Sequence, residues 1–505
     1  MSATATTTTS LSSTARTALL VIAILFALRL VLAATMPLAF DEAYYWTWSK
    51  SLAGGYLDHP PLVAYVIRAG TLIAGDTELG VRLASVLLAV PATWAVWQTG
   101  SIVSGDADTG ARAALYFNLT LMVGAGTLIV TPDAPLIVAA SFVLYALAKV
   151  ATTSDGRWWL LVGAAAGLAL LSKYTALFLG AGILLWLFLV PNLRRWFLSP
   201  WPYAGGVLAL LIFSPVIAWN LAHGGASFAK QFGRAIVDGF TLRYVGEVLP
   251  VQFALASPPV FFLGCAGLYL AARTQRAGDA AASLVLLWAL IAPMLAYFLF
   301  HSLHTRVEGN WLSPMYPAFA VAAAIATTRG DWSPWLARLL RYARRDAIGV
   351  GVVVFALVGL QAATGLFPLG TSEPTASNLG AGWRDLGPRI DEERVRQGAA
   401  GVVTTSYAET GWLAFYLPSR PRVEQLTERI RWVNHPQPTA AFWAEPLLYV
   451  ARSDRDLSAL LGNVFSDVRP LVTLPRTRHG QEIASYRLYL VKGARTPTFP
   501  AIDTK

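Results

Sequence analysis

Charge is scarce in this chain. Asp, Glu, Lys and Arg make up only 13% of its 505 residues, about half the share of an ordinary soluble domain. Cysteine is nearly absent. Cys265 stands alone inside an apolar run, which excludes an intrachain disulfide and any Cys-based zinc or iron–sulfur site. A Gly-rich phosphate-cradling loop is missing, so no nucleotide site is indicated. No fixed-period repeat is present, which removes solenoid architectures. What fills the chain instead is apolar: 55% of the residues are hydrophobic, and the mean hydropathy is +0.51. A water-soluble protein could not hide that surface, and a disordered one would not contain it.

The apolar residues fall into runs near the length a bilayer requires, about 20 per helix. Eleven spans are predicted, near 17–36, 80–100, 110–130, 133–150, 157–171, 174–190, 203–220, 250–272, 281–300, 312–328 and 347–367. The fold class is an α-helical polytopic membrane protein with a small C-terminal soluble α/β domain. Residues 1–16 read as a disordered cytoplasmic N-terminus, and the first apolar run as a retained span, not a cleaved signal. The transmembrane domain covers 17–368, with outside loops at 37–79 and 221–249. Residues 369–505 hold 17 Lys/Arg and 14 Asp/Glu, with short runs at 400–406, 447–451 and 486–491 and a charged helix over 384–397.

Charge tests this topology. With the N-terminus inside, the inner loops hold Lys149/Arg157, Arg194/Arg195, Arg273/Arg276 and the group Arg329, Arg338, Arg341, Arg344 and Arg345. That is a positive-inside pattern. It also decides 157–190, an apolar stretch interrupted at Ser172-Lys173-Tyr174. One helix there would throw the later Arg clusters outside, so a hairpin is preferred, with Lys173 at its outer turn. The net charge of +10 then belongs to orientation and anionic headgroups. Membrane lipids are partners and nucleic acid is not.

The rule leaves a residue set unexplained. Asp41, Glu42, Asp58, His59, Asp133, Lys173, Lys230, Arg234, Arg243, Glu247, His301, His304, Arg306, Glu308 and Asn310 all fall on the outside. Ionisable groups at helix mouths indicate function. Asp41 suits a general base, and equally a cap of the helix that follows. Asp133 opens a helix in Thr131-Pro132-Asp133-Ala134-Pro135, where an acid also suits the first turn. Lys173 and Arg306 either snorkel or hold a phosphate. His301 and His304 have a spacing that permits a metal, but no third ligand is fixed. The apolar stretch 62–74 is short for a span and suits an interfacial helix. Together these point to a lipid-linked anionic substrate, its phosphate near Lys173, Arg306 and His59.

Four motifs resemble one family: Phe40-Asp41-Glu42-Ala43-Tyr44-Tyr45, Leu57-Asp58-His59-Pro60-Pro61-Leu62, Thr131-Pro132-Asp133-Ala134-Pro135-Leu136 and Ser172-Lys173-Tyr174-Thr175. Asn310-Trp311 to Tyr316-Pro317 adds to them. The chain resembles bacterial GT-C fold glycosyltransferases dependent on polyprenyl-phosphate sugars, relatives of the protein O-mannosyltransferases and the lipid A aminoarabinose transferase. The resemblance implies Asp41 as the catalytic carboxylate with Asp133 nearby. It implies a substrate site including Glu42, Tyr45, Asp58, His59, Lys173, Tyr174, Arg306, Glu308 and Asn310. His59 stands where some relatives carry a lysine assigned to the donor phosphate. The expected function is an inverting transfer of a sugar from a polyprenyl-phosphate (undecaprenyl-phosphate) donor to a lipid or glycan acceptor, such as lipid A or another envelope glycan. The expected location is the bacterial inner membrane, with the site facing the periplasm. No cofactor is required, and a divalent metal is left open. The alternative is a transporter or flippase for an anionic lipid-linked substrate.

Overall fold

The computed structural model describes residues 11–233, 239–274, 282–328, 330–367, 369–370, 373–496 and 499–502. Residues 1–10, expected to be disordered, and Arg234, Arg276 and Arg329 lie outside the described residues. Among the described residues, six helices are long and apolar enough to cross a bilayer: Ser13–Thr35, Glu78–Ser104, Asp133–Thr153, Pro200–Ala222, Ala282–His301 and Pro334–Thr364. Each overlaps a predicted span, but Pro334–Thr364 starts 13 residues before the predicted 347 and takes in Arg338, Arg341, Arg344 and Arg345, expected in an inner loop.

The other five segments differ from straight spans, and the reasons are local. The 110–130 segment divides at Thr120 into helices Ala107–Leu119 and Leu121–Leu128. The Thr120 hydroxyl caps the second by accepting the Val123 N–H at 3.3 Å. The 174–190 segment is the short piece Tyr174–Leu189, after which the chain turns by 116° into Pro191–Leu198, and 250–272 turns by 105° before Pro258, because proline cannot continue a helix. If each bent pair counts as one span, the total reaches eight. The 157–171 segment is the short helix Trp158–Ser172. The last, 312–328, starts as a 3₁₀ turn, Gly309–Met315, and continues as Tyr316–Ala326, buried along its whole length. Close helix packing draws on glycine: a Cβ on Gly163 would lie 2.1 Å from the Gly205 carbonyl oxygen.

Beyond the last long helix, five strands form one mixed sheet: β1 (Gly401–Thr404), β2 (Arg422–Gln425), β3 (Leu447–Arg452), β4 (Phe465–Arg478) and β5 (Gln481–Ala494). Their order is β2-β1-β3-β5-β4. β1 runs parallel to β2 and β3, while β5 is antiparallel to β3 and β4. His479 and Gly480 both have positive φ in the β4–β5 turn, the geometry a tight hairpin demands. The runs at 400–406, 447–451 and 486–491 fall on β1, β3 and β5, and the charged segment 384–397 on helix Trp383–Arg396.

Two anchors hold the short helix Phe40–Lys50 that follows the first span. From the sheet side, the Leu38 N–H donates to the Tyr416 hydroxyl at 2.8 Å, and Trp412 Nε1 donates to the Leu38 carbonyl at 3.0 Å. Gly411 permits this approach, since a Cβ there would lie 2.7 Å from the Tyr44 nitrogen. From the membrane side comes a buried ion pair, Glu42–Arg82. Arg82 Nε and Nη2 donate to the two Glu42 oxygens at 2.7 and 2.5 Å. The guanidinium also donates to the Ala33, Met36 and Pro37 carbonyls. The Val130 N–H completes Glu42 at 3.0 Å. Both side chains are fully buried, a tolerable state for charge only when every donor and acceptor is matched.

Candidate active site

The chain order brings these anchors to one cavity. Asp41 begins the helix just after the first span. Asp133 is the first residue of its helix, Lys173 follows the end of Trp158–Ser172, and His301 ends its own helix. All four line a cavity of about 870 Å³ with Tyr45, Asp58, His59, Tyr174, Arg306, Glu308 and Asn310. Of the predicted site residues, only Glu42 is outside this lining. It is instead committed to Arg82 and to the Ala39 N–H, which it accepts at 2.9 Å. Glu42, not Asp41, therefore caps the helix, and its carboxylate cannot bind substrate without breaking a buried pair.

Asp41 is left open. Among the described residues no hydrogen bond or ion pair reaches its carboxylate. Burial, then the neighbouring carboxylates Asp58 and Glu42, push its pKa from 3.8 up to about 7, against the pull of Lys173 and Arg431. A part-buried carboxylate with proton affinity near neutrality and both oxygens available is what a general base requires.

Asp133 is the opposite case. It accepts Lys173 Nζ at 2.9 Å on each oxygen, Asn310 Nδ2 at 2.6 Å and Ser313 Oγ at 2.6 Å. Its backbone N–H is taken by Thr131 Oγ1 at 3.3 Å. A carboxylate so saturated holds the Lys173 ammonium in place. Lys173 itself sits in extended backbone between two helices, the interruption read from Ser172-Lys173-Tyr174.

Asp58 anchors a second charge group. It pairs with Lys230 Nζ at 2.9 Å and with Arg431, and accepts the Tyr44 hydroxyl at 2.9 Å. Burial raises its pKa, but Arg431 and Lys230 outweigh that and hold it below the ordinary carboxylate value. Arg431 also pairs with Glu428 at 3.0 Å and lies 4.6 Å from the centre of the Tyr407 ring. Arg306 is 66% exposed and its partners are distant, Glu247 at 3.4 Å and Glu308 at 3.9 Å. This cation can be recruited by an incoming anion at little cost. An apolar wall of Leu177, Phe178, Phe232, Tyr297, Phe298 and Trp311 faces these charges. Tyr174 joins it, its hydroxyl 2.8 Å from Ser227.

His301 and His304 do not converge. His301 Nε2 is 2.6 Å from Thr305 Oγ1, and His304 Nδ1 is 3.2 Å from the Phe300 carbonyl. Among the described residues no group of three His, Cys, Asp or Glu is placed to hold a metal ion.

Sequence reading missed Arg431, Tyr407, Ser313 and Arg82. Arg431 is 373 residues from Asp58, in a region without family motifs. Its only signal is the basic–aromatic run Arg429-Ile430-Arg431-Trp432.

Residues 58–219 match the family "Dolichyl-phosphate-mannose-protein mannosyltransferase". The chain is 27% identical over 286 residues to the lipid A galacturonosyltransferase RgtD of Rhizobium johnstonii. That match spans 56% of this chain and 59% of the relative, under two thirds of its length. Among solved structures, ArnT from Cupriavidus metallidurans bound to undecaprenyl phosphate superposes with a TM-score of 0.64 at 16% identity, covering 96% of this chain and 99% of that one. The Archaeoglobus fulgidus oligosaccharyltransferase gives 0.51 at 12% identity, covering 86% and 69%. These likenesses favour the transferase reading over a transporter or flippase. The chain shares the fold of these two solved structures, the GT-C fold that its motifs resemble.

Proposed function

We propose that this protein is an inverting glycosyltransferase that moves a sugar from a polyprenyl-phosphate donor to lipid A or a related envelope glycan. The observation that carries the reading is the pairing, in one cavity, of an open carboxylate of raised proton affinity with cations set against an apolar wall. The relative named as a lipid A galacturonosyltransferase and the neighbour bound to undecaprenyl phosphate support it. Galacturonic acid is accordingly the first donor sugar to test.

In this mechanism the prenyl chain lies along Phe178, Phe232, Tyr297 and Phe298, and the phosphate meets Lys173, Arg306 and His59. The acceptor hydroxyl attacks the anomeric carbon from the face opposite the phosphate. Its proton passes to Asp41 as the new C–O bond forms. The bond to the phosphate oxygen breaks, and the lipid phosphate leaves with the electron pair and inverted stereochemistry remains. General-base help is worth roughly 10²–10⁴-fold. Fixed cations aimed at the leaving oxygen supply the rest, at no reorganisation cost during the step. Asp133 acts through Lys173 as a positioning residue. Phosphate is already a good leaving group, so the reaction as written needs no cofactor.

On this reading the chain has eleven segments and an inner N-terminus, and the cavity and the sheet face the periplasm of a bacterial inner membrane, as the positive-inside charge pattern supports. The bent and short segments then count as crossings packed among the six long helices. Mass spectrometry of envelope lipids and glycans with and without the gene tests the function. The reading expects one sugar to vanish from one lipid or glycan species. An unchanged profile under conditions of expression overturns it.

A further inference from the structure

A second pocket, of about 270 Å³, lies where the Asp41-bearing helix meets the sheet region. Its walls include Trp46, Lys50, Arg420, Arg422 and Trp432. Two of its cations are neutralised within the protein: Lys50 contacts Asp76, and Arg422 donates to Glu424 at 2.7 Å. Arg420 is different. Among the described residues no carboxylate lies within ion-pair distance of it, although its charge acts on the nearby Asp76 carboxylate that Lys50 contacts. Its guanidinium is held 5.0 Å from the Trp46 ring and 5.1 Å from Phe415, with a 3.3 Å hydrogen bond to the Asp76 carbonyl. Its backbone φ is +50°, left-handed and unfavourable for a non-glycine residue. A cation with no carboxylate in direct contact, fixed on aromatic rings and kept there against backbone preference, is a site feature and not ordinary surface charge.

Position adds to this. Trp432 lines the second pocket and Tyr44 the first, and their rings are 5.4 Å apart. One layer of aromatic side chains separates the two. Lys50 is nine residues along the same helix from Asp41, about 14 Å at 1.5 Å per residue, a distance within reach of a short oligosaccharide. Aromatic faces suit sugar rings, and arginine suits phosphate or carboxylate oxygens.

We infer that this second pocket binds an anionic sugar unit of the acceptor, one bearing a phosphate or carboxylate, with Arg420 as its anchor. The assignment to the acceptor rests on the transferase reading; the binding does not. The test is calorimetric titration of the full-length protein in detergent with a soluble disaccharide monophosphate, a uronic-acid disaccharide, the neutral disaccharide and inorganic phosphate. An acidic disaccharide should bind at least tenfold more tightly than either the neutral sugar or phosphate alone, and the affinity should fall with salt. Arg420→Gln and Arg420→Ala should each weaken it at least tenfold while the thermal midpoint stays within a few degrees. Equal binding by both variants and wild type, equal binding of inorganic phosphate, or no binding by wild type would overturn the inference. A wild type that binds the acidic disaccharide but transfers no sugar would instead overturn the transferase reading.

Discussion

Replacing Asp41 with Asn removes the proton acceptor while keeping its shape, and the structure predicts two opposite effects. The native pKa of Asp41 is about 7 against an ordinary 3.8. Ionising it therefore costs the folded state, and the cost accumulates as pH rises from about 4 to about 7 and is constant above that. At about 1.4 kcal/mol per tenfold change in proton affinity, the ceiling is about 4 kcal/mol. Asn cannot ionise, so Asp41→Asn should be more heat-stable than wild type above neutral pH, with the gap closing toward pH 4. Turnover should fall by roughly 10²–10⁴-fold. Thermal unfolding across pH in detergent, run beside a transfer assay, reads both. A variant that is inactive because it is less stable at pH 8, or one that turns over normally, would refute the reasoning.

Further outcomes follow from the same contacts. In wild type, kcat/KM should rise with pH through about 7, as the base form of Asp41 appears. Arg431→Ala removes a cation that favours ionised Asp41 and unshields Asp58, so the midpoint of that profile should move to higher pH; an unmoved or lowered midpoint contradicts the coupling. Lys173→Met strands a buried carboxylate at Asp133 and should destabilise by about 3–5 kcal/mol. Adding Asp133→Asn should restore folded yield but not donor affinity, measured as the donor KM. Arg82→Met should cost a similar 3–5 kcal/mol in thermal unfolding by leaving Glu42 unpaired, and Glu42→Gln beside it should recover part of the loss.

The motifs that interrupt apolar runs were legible because polar residues in a bilayer stand out against their surroundings. Asp41, Asp133 and Lys173 all lie at such interruptions, and the charge pattern had already placed them at one end of the helices. Glu42 was misread because adjacency to Asp41 says nothing about which side chain faces Arg82. Arg82 escapes the sequence reading, since its five hydrogen bonds go to segments 40–50 residues away. The bend before Pro258 leaves composition apolar while breaking geometry, so hydropathy counts 250–272 as a straight span. Arg431 and Tyr407 enter the cavity only through the docking of the sheet region onto helix Phe40–Lys50, a long-range contact that no local pattern encodes.

The most direct test is a reconstituted reaction with polyprenyl-phosphate galacturonic acid and lipid A, following free polyprenyl phosphate and glycosylated lipid A together. The account predicts that the two products form in equal amounts, that release depends on acceptor, and that Asp41→Asn abolishes both. Sugar transfer from a nucleotide donor, or full turnover by the Asn variant, would contradict it.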